Sequence, residues 1–234
     1  MTIPEAPSIA CVEANDSMSA YGRTRMNLAL HHLFASCRFA ARVRELEANN
    51  ASSQFGEFWE EILHHSLAVA TLSVAALESY ANELYADNLH RVSGLSEIAV
   101  GSIGELVESA SILRKFQVAL ALRSGKELSF SISVVQNVDA LIKLRNAVVH
   151  FHPEWFDAQD KHDKLSRQLA YKFERSAFLA GEPLFPRAWA SGSFVVWALK
   201  TTVEFIEHFC IESGIPNPLS QFRNRISKYS ANAL

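Results

Sequence analysis

The chain has few of the residues that turn a backbone sharply. Gly at 9 and Pro at 7 of 234 residues fall below the average usage of about 7% and 5%. That leaves too few turn formers for a many-stranded β protein and favours helix. Cysteine is scarce too. Cys11, Cys37 and Cys210 are odd in number, widely spaced and without a C-x-x-C pair, which excludes a disulfide framework and a cysteine zinc site and suits a reducing cytosol. No basic excess exists: the formal net charge is −3 and the pI about 6.3, so non-specific coating of nucleic acid is excluded, although a local basic cleft is not. The longest nearly apolar stretch, Ser66 to Leu77, falls well short of the ~20 residues a membrane helix needs. The opening MTIPEAPSIACVEAND has no basic region leading into an apolar core, so no secretory signal is expected. The chain carries no Gly-rich phosphate loop, G-x-S-x-G elbow or H-E-x-x-H, leaving nucleotide triphosphatase, α/β-hydrolase and zincin chemistry without support. The expectation is a soluble cytoplasmic protein with no cofactor and no membrane association.

What is present is apolar material: 49% of residues are hydrophobic and 20% charged, enough to bury a core. The reading is a single all-α domain over residues 1–234. Helices are predicted at about 17–48, 54–92, 103–123, 132–151, 160–179, 190–212 and 217–230. Gly94, Gly125, Gly181 and Gly214 stand where left-handed terminating residues are wanted, and Pro183 and Pro216 follow two of them. Ser102 and Glu105 form an S-x-x-E capping box for the third helix. Phe194, Val195, Ala198, Phe205, Ile206 and Phe209 in the sixth make a core-facing stripe. Residues 181–193, GEPLFPRAWASGS, read as a loop.

The fourth helix, from Val134, is the most informative segment. At about 100° per residue, Val134, Val138, Leu141, Ile142, Val148 and Val149 fall within about 60° of one direction, and Arg145 lies at the centre of that arc. A guanidinium cannot shed its charge, so it either meets a carboxylate, with Glu78 or Glu83 on the second helix as partners, or faces a cleft. His150 lies about 140° round the same helix, one turn after Asn146. Pro153 disfavours helix at His152, which sets His150 in the last turn, where the helix dipole favours a protonated imidazole.

Other constellations have ordinary alternatives. Glu61 and His64 form one E-x-x-H, half of a di-iron motif, with no second copy; the neighbours His31-His32 and His64-His65 point about 100° apart and chelate poorly. No metal is expected. Glu78 and Asn82, one turn apart, either buttress Arg145 or belong to the cleft. Arg38, Arg42 and Arg44, and Arg223, Arg225 and Lys228, are phosphate contacts or solvated helix faces. Among Phe58, Trp59, Trp155, Trp189 and Trp197, only Trp155 follows the motif helix closely enough to offer a base-stacking surface; the rest read as core.

LRNAVVHF (Leu144 to Phe151) resembles the R-x4-H signature of the HEPN superfamily (higher eukaryotes and prokaryotes nucleotide-binding), with Asn146 at the polar position after the arginine. VAALESYANELY (Val74 to Tyr85) is similar to the long helix with an A-x-E-x-x-x-N-E pattern found in several of its families. The resemblance covers about residues 55–210, with the helices at 17–48 and 217–230 appended. It implies an up-and-down bundle that pairs about a twofold axis, so that Arg and His of both protomers line a shared cleft. For active members it implies metal-independent RNA cleavage by 2′-hydroxyl attack, of the kind found in toxin and phage-defence systems. Arg145 would then stabilise charge on the phosphoryl oxygens and His150 act as general acid or base, with Asn146 orienting His150 or the phosphate. The partners implied are RNA and an antitoxin or other regulatory protein. Some such toxins carry a modifiable Tyr two residues after the His; this chain has His152 there, either a second proton carrier or an exposed loop histidine. The alternatives are a non-catalytic HEPN-like dimer that binds a nucleotide or protein, and a plain helical scaffold.

Overall fold

The computed structural model describes residues 26–88, 94–155, 160–224 and 226. These residues form helices and connecting turns, with no strand among them. The principal helices are α1 (Ala29–Asn49), α2 (Phe58–Glu83), α3 (Glu97–Val107), α4 (Ile112–Ser124), α5 (Ser133–Val149), α6 (Asp160–Leu169) and α7 (Gly192–Ser213). The fold is an all-α bundle.

α1 and α2 form an antiparallel pair, as their cross-contacts show. Ala29 N–H donates to Glu83 Oε1 (2.9 Å) at one end, the Ser36 and Ser73 hydroxyls share a hydrogen bond (2.8 Å) in the middle, and Arg42 reaches Glu61 (3.2 Å) at the other. α7 packs against α1, α2, α4 and α5. All six residues of its predicted stripe are buried, and Phe205 and Phe209 meet Phe116 of α4 edge-on at 4.9 and 5.0 Å. Ser191 caps α7 by accepting from Phe194 N–H (3.0 Å), while its own hydroxyl donates to Glu174 O (2.8 Å). Gly214 ends it in the left-handed conformation (φ 67). At the start of α7, a Cβ on Gly192 would run into Glu47 Oε2 of α1, so any larger residue there has to push that carboxylate aside.

Phe58–Ala86 is long and apolar enough to cross a membrane by length and composition, with mean hydropathy 1.2 over an 18-residue window. Run length alone misses it, because His64 and His65 on one side and Glu78 on the other bound the apolar run Ser66 to Leu77. Here Ile62, Val69, Ala70, Val74, Leu77 and Ala81 of this helix are buried in the core.

Several boundaries differ from the sequence expectation. The stretch at 103–123 is two helices, separated around 108–111, and the predicted box at Ser102 and Glu105 lies inside α3. The cap is Ser96, extended at φ −67, ψ 154, whose hydroxyl accepts from Ala99 N–H (3.2 Å). The helix expected at 160–179 stops at Leu169, where Tyr171 turns left-handed (φ 67). Gly181 shows no positive φ, whereas Gly94, Gly125 and Gly214 do. The loop at 181–193 contains a buried turn at Leu184–Ala188. Residues 17–25, 89–92 and 227–230 of the predicted helices lie outside the described residues, as do Arg225, Lys228 and Cys11.

Candidate functional site

α5 is where sequence and structure meet most closely. Val135, Val138, Leu141 and Leu144 are fully buried, because α2 and α7 both pack against this helix. The buried face therefore centres near Leu141 rather than on Arg145. Val134, Ile142 and Val148 are half-buried and Val149 is exposed. Arg145 sits on the flank of the stripe and is partly exposed, at 22% of its side chain.

On that flank the guanidinium faces α2. Arg145 Nη2 is 4.0 Å from Glu78 Oε2, and Arg145 Nε is buried without a hydrogen-bond partner. The other oxygen of Glu78 stands 4.0 Å from Nζ of Lys115 on α4, a lysine with 4% of its side chain exposed. Lys115 donates to Asn82 Oδ1 at 2.9 Å, and Tyr85 O–H donates to Lys115 O at 2.7 Å. Glu78 and Asn82 thus serve two cations with one carboxylate and one amide. Glu83, the other partner considered for Arg145, bonds the start of α1 instead.

The opposite flank of α5 borders an open groove of about 610 Å³. Lys143, Asn146, Ala147 and His150 line it from α5, Lys161, His162, Lys164, Leu165 and Gln168 from α6, and His152 and Phe185 complete it. Among the described residues, no carboxylate is in that lining. Lys143 is tied to Asp139 one turn earlier (2.6 Å), while Lys161 and Lys164 have no ion pair among the described residues. Lys161, Lys164 and Gln168 recur at helical spacing along the groove, and Asp160 and Asp163 do not line it.

His150 is exposed at the C-cap of α5, its N–H bonded to Asn146 O (2.9 Å). The segment after it is strapped to α6 by His162, which is 5% exposed. His162 Nε2 donates to His152 O (3.1 Å), and Glu154 Oε2 accepts His162 N–H (3.1 Å). His162 Nδ1 faces the same carboxylate oxygen at 3.8 Å without a hydrogen bond. Its ring stacks on Phe151 (5.5 Å) and meets Phe185 edge-on (5.0 Å). These contacts fix the backbone from 151 to 154 while leaving the His150 and His152 side chains exposed.

Of the six predicted site residues, His150, Asn146 and His152 share the groove, and Arg145, Glu78 and Asn82 share the cluster on the other side of α5. Arg145 and His150 therefore belong to different clusters, since Arg145 does not line the groove. Glu61 is paired with Arg42, and Arg42 also with Glu45 (3.1 Å). Arg223 is paired with Glu207 (2.9 Å). Among the described residues, no group of three His, Cys, Asp or Glu gathers to hold a metal ion. Trp59, Trp189 and Trp197 are buried, but Trp155 is 83% exposed.

Sequence reasoning missed Lys115, Lys143, Lys161, Lys164 and His162. Lys161 and Lys164 carried a usable signal, since DKHDKLSRQL places both, with Gln168, on one face of a short amphipathic helix. Lys115 carried none, because its burial follows from where α2 and α4 meet. No protein-family model, curated protein or solved structure matches the chain.

Proposed function

We propose that the chain is a metal-independent endoribonuclease of HEPN type, acting as a homodimer. The observation that supports this reading is the groove whose described lining holds no carboxylate and in which His150, Asn146 and His152 stand among three lysines. Such a lining attracts a phosphodiester backbone and supplies proton carriers beside it. RNA is the substrate because its 2′-hydroxyl is the nucleophile. That oxygen attacks the adjacent phosphorus and loses its proton to a general base as the bond from phosphorus to the 5′ oxygen breaks. The leaving oxygen takes a proton from a general acid. The products are a 2′,3′-cyclic phosphate and a free 5′-hydroxyl. His150 fills one proton-transfer role, with His152 within the same groove as a second carrier. Arg145 from the partner protomer stabilises the charge on the phosphoryl oxygens. A toxin or phage-defence role, held in check by a protein partner, is the setting that the HEPN resemblance implies.

A second reading has its own observation. Arg145 faces Glu78 and does not line the groove that holds His150, as in a non-catalytic dimer that binds a nucleotide or protein. Incubating the protein with RNA in chelator, beside Arg145→Ala and His150→Ala, separates the two. Cyclic-phosphate ends that disappear in both variants support the nuclease; intact RNA with folded, dimeric protein supports the second reading.

A further inference from the structure

Three of the four tryptophans are core residues, at 6%, 0% and 9% exposure for Trp59, Trp189 and Trp197, whereas Trp155 is 83% exposed. An indole left in water forgoes the burial that this side chain normally supplies. Its backbone lies near the groove. Trp155 follows His152, a groove residue, by three positions, which limits their Cα separation to about 11 Å. Its neighbour Glu154 is fastened to His162, another groove residue, at 3.1 Å. The backbone of Trp155 thus stays close to a groove in which Lys161 and Lys164 have no ion pair among the described residues.

We propose that Trp155 is a stacking platform for an unpaired base, and that the groove therefore takes single-stranded rather than duplex nucleic acid. The inference rests on the nucleic-acid reading of the groove given above. Lysines bind phosphate without regard to strandedness, but a paired base in a duplex has both faces already stacked and offers none to an indole. The charge complementarity of the lining selects a polyanion, and the exposed ring selects one whose bases are free.

The test is a fluorescence titration of the whole protein with a short single-stranded oligonucleotide, fully 2′-O-methylated so that binding is read without cleavage. The buried tryptophans are shielded from the ligand, so saturable quenching reports Trp155. Quenching is expected with the single strand and absent with its duplex, and Trp155→Phe should lose the signal while still binding. Trp155→Ala should weaken binding roughly 5- to 150-fold, measured by anisotropy of a labelled oligonucleotide. The proposal is overturned if the oligonucleotide binds without quenching, if Trp155→Ala binds equally well, or if Trp155→Ala loses only its oligomeric state. Quenching with no cleavage of unmodified RNA would sink the nuclease reading and keep the platform; cleavage with no quenching would do the reverse. Absence of binding would remove both.

Discussion

Arg145 and Glu78 meet across the contact of α5 with α2 at 4.0 Å, a separation at which the guanidinium approaches the carboxylate without closing a hydrogen bond. Glu78 is 46% exposed on its side chain and is shared with Lys115. Water therefore screens the pair, and exposed pairs of this kind couple by about 0–1 kcal/mol. A double-mutant cycle of Arg145→Ala and Glu78→Ala, followed by chemical denaturation, should give a coupling below about 1 kcal/mol. A coupling above about 3 kcal/mol would identify a desolvated structural pair and remove Arg145 from functional consideration.

Lys115 makes a different prediction. Its partners Asn82 and Glu78 both reach solvent, so removing the ammonium leaves no buried group unpaired. Lys115→Met keeps the stem's packing and abolishes the desolvation cost. The variant should be neutral or more stable, by up to about 1–4 kcal/mol. A loss of stability in urea would show that the ammonium holds the α2–α4 contact.

The groove lysines should govern salt dependence. If Lys161 and Lys164 each contact a phosphate, Lys161→Gln and Lys164→Gln should each flatten the plot of log affinity against log salt for single-stranded RNA by about 0.7. Arg42 and Arg223, already paired with glutamates, should change that slope little when substituted. Equal effects at both places would disperse the binding surface beyond the groove.

Glu47 gives a pH signature. Burial holds its carboxyl above the usual glutamate range, partly opposed by a hydrogen bond from Gly192 N–H. The folded state then binds a proton more readily than the unfolded chain, so the cost of ionising Glu47 is fully present above the raised value. It disappears as pH falls through that value and below the unfolded one. Glu47→Gln should accordingly be the more stable protein near neutrality, with the difference closing as the solution becomes acidic. Gly192→Ala displaces the carboxylate toward water and should return its titration to the ordinary range by NMR, at a cost of about 1 kcal/mol. An unchanged titration would contradict the close packing of α1 on α7.

The parts of this molecule that the sequence made readable are those set by local chemistry. Phe194 to Phe209 recur at helical spacing and are buried as a set, and Gly125 and Gly214 end their helices because a left-handed residue was required there. The start of α3 was misread because two serines compete within one turn and a half. Ser96 is extended and frees its hydroxyl for Ala99, while Ser102 is already inside the helix. The arc around Arg145 was misplaced for a non-local reason: two helices close on the Leu141 side of α5, and no periodicity within α5 encodes their arrival. The groove escaped notice because its lysines come from α5 and α6, whose contact is a tertiary one, reinforced by the strap from His162 to His152 and Glu154.

The placement of Arg145 and His150 on opposite flanks of α5 has a kinetic consequence. Arg145 faces Glu78 whereas His150 lines the groove, so the proposed reaction draws the two groups from different molecules and depends on their association. Turnover per chain should then climb in proportion to protein concentration at high dilution and level off once association is complete. Inactive Arg145→Ala and His150→Ala chains, mixed together, should restore part of the rate by each lending the group the other lacks.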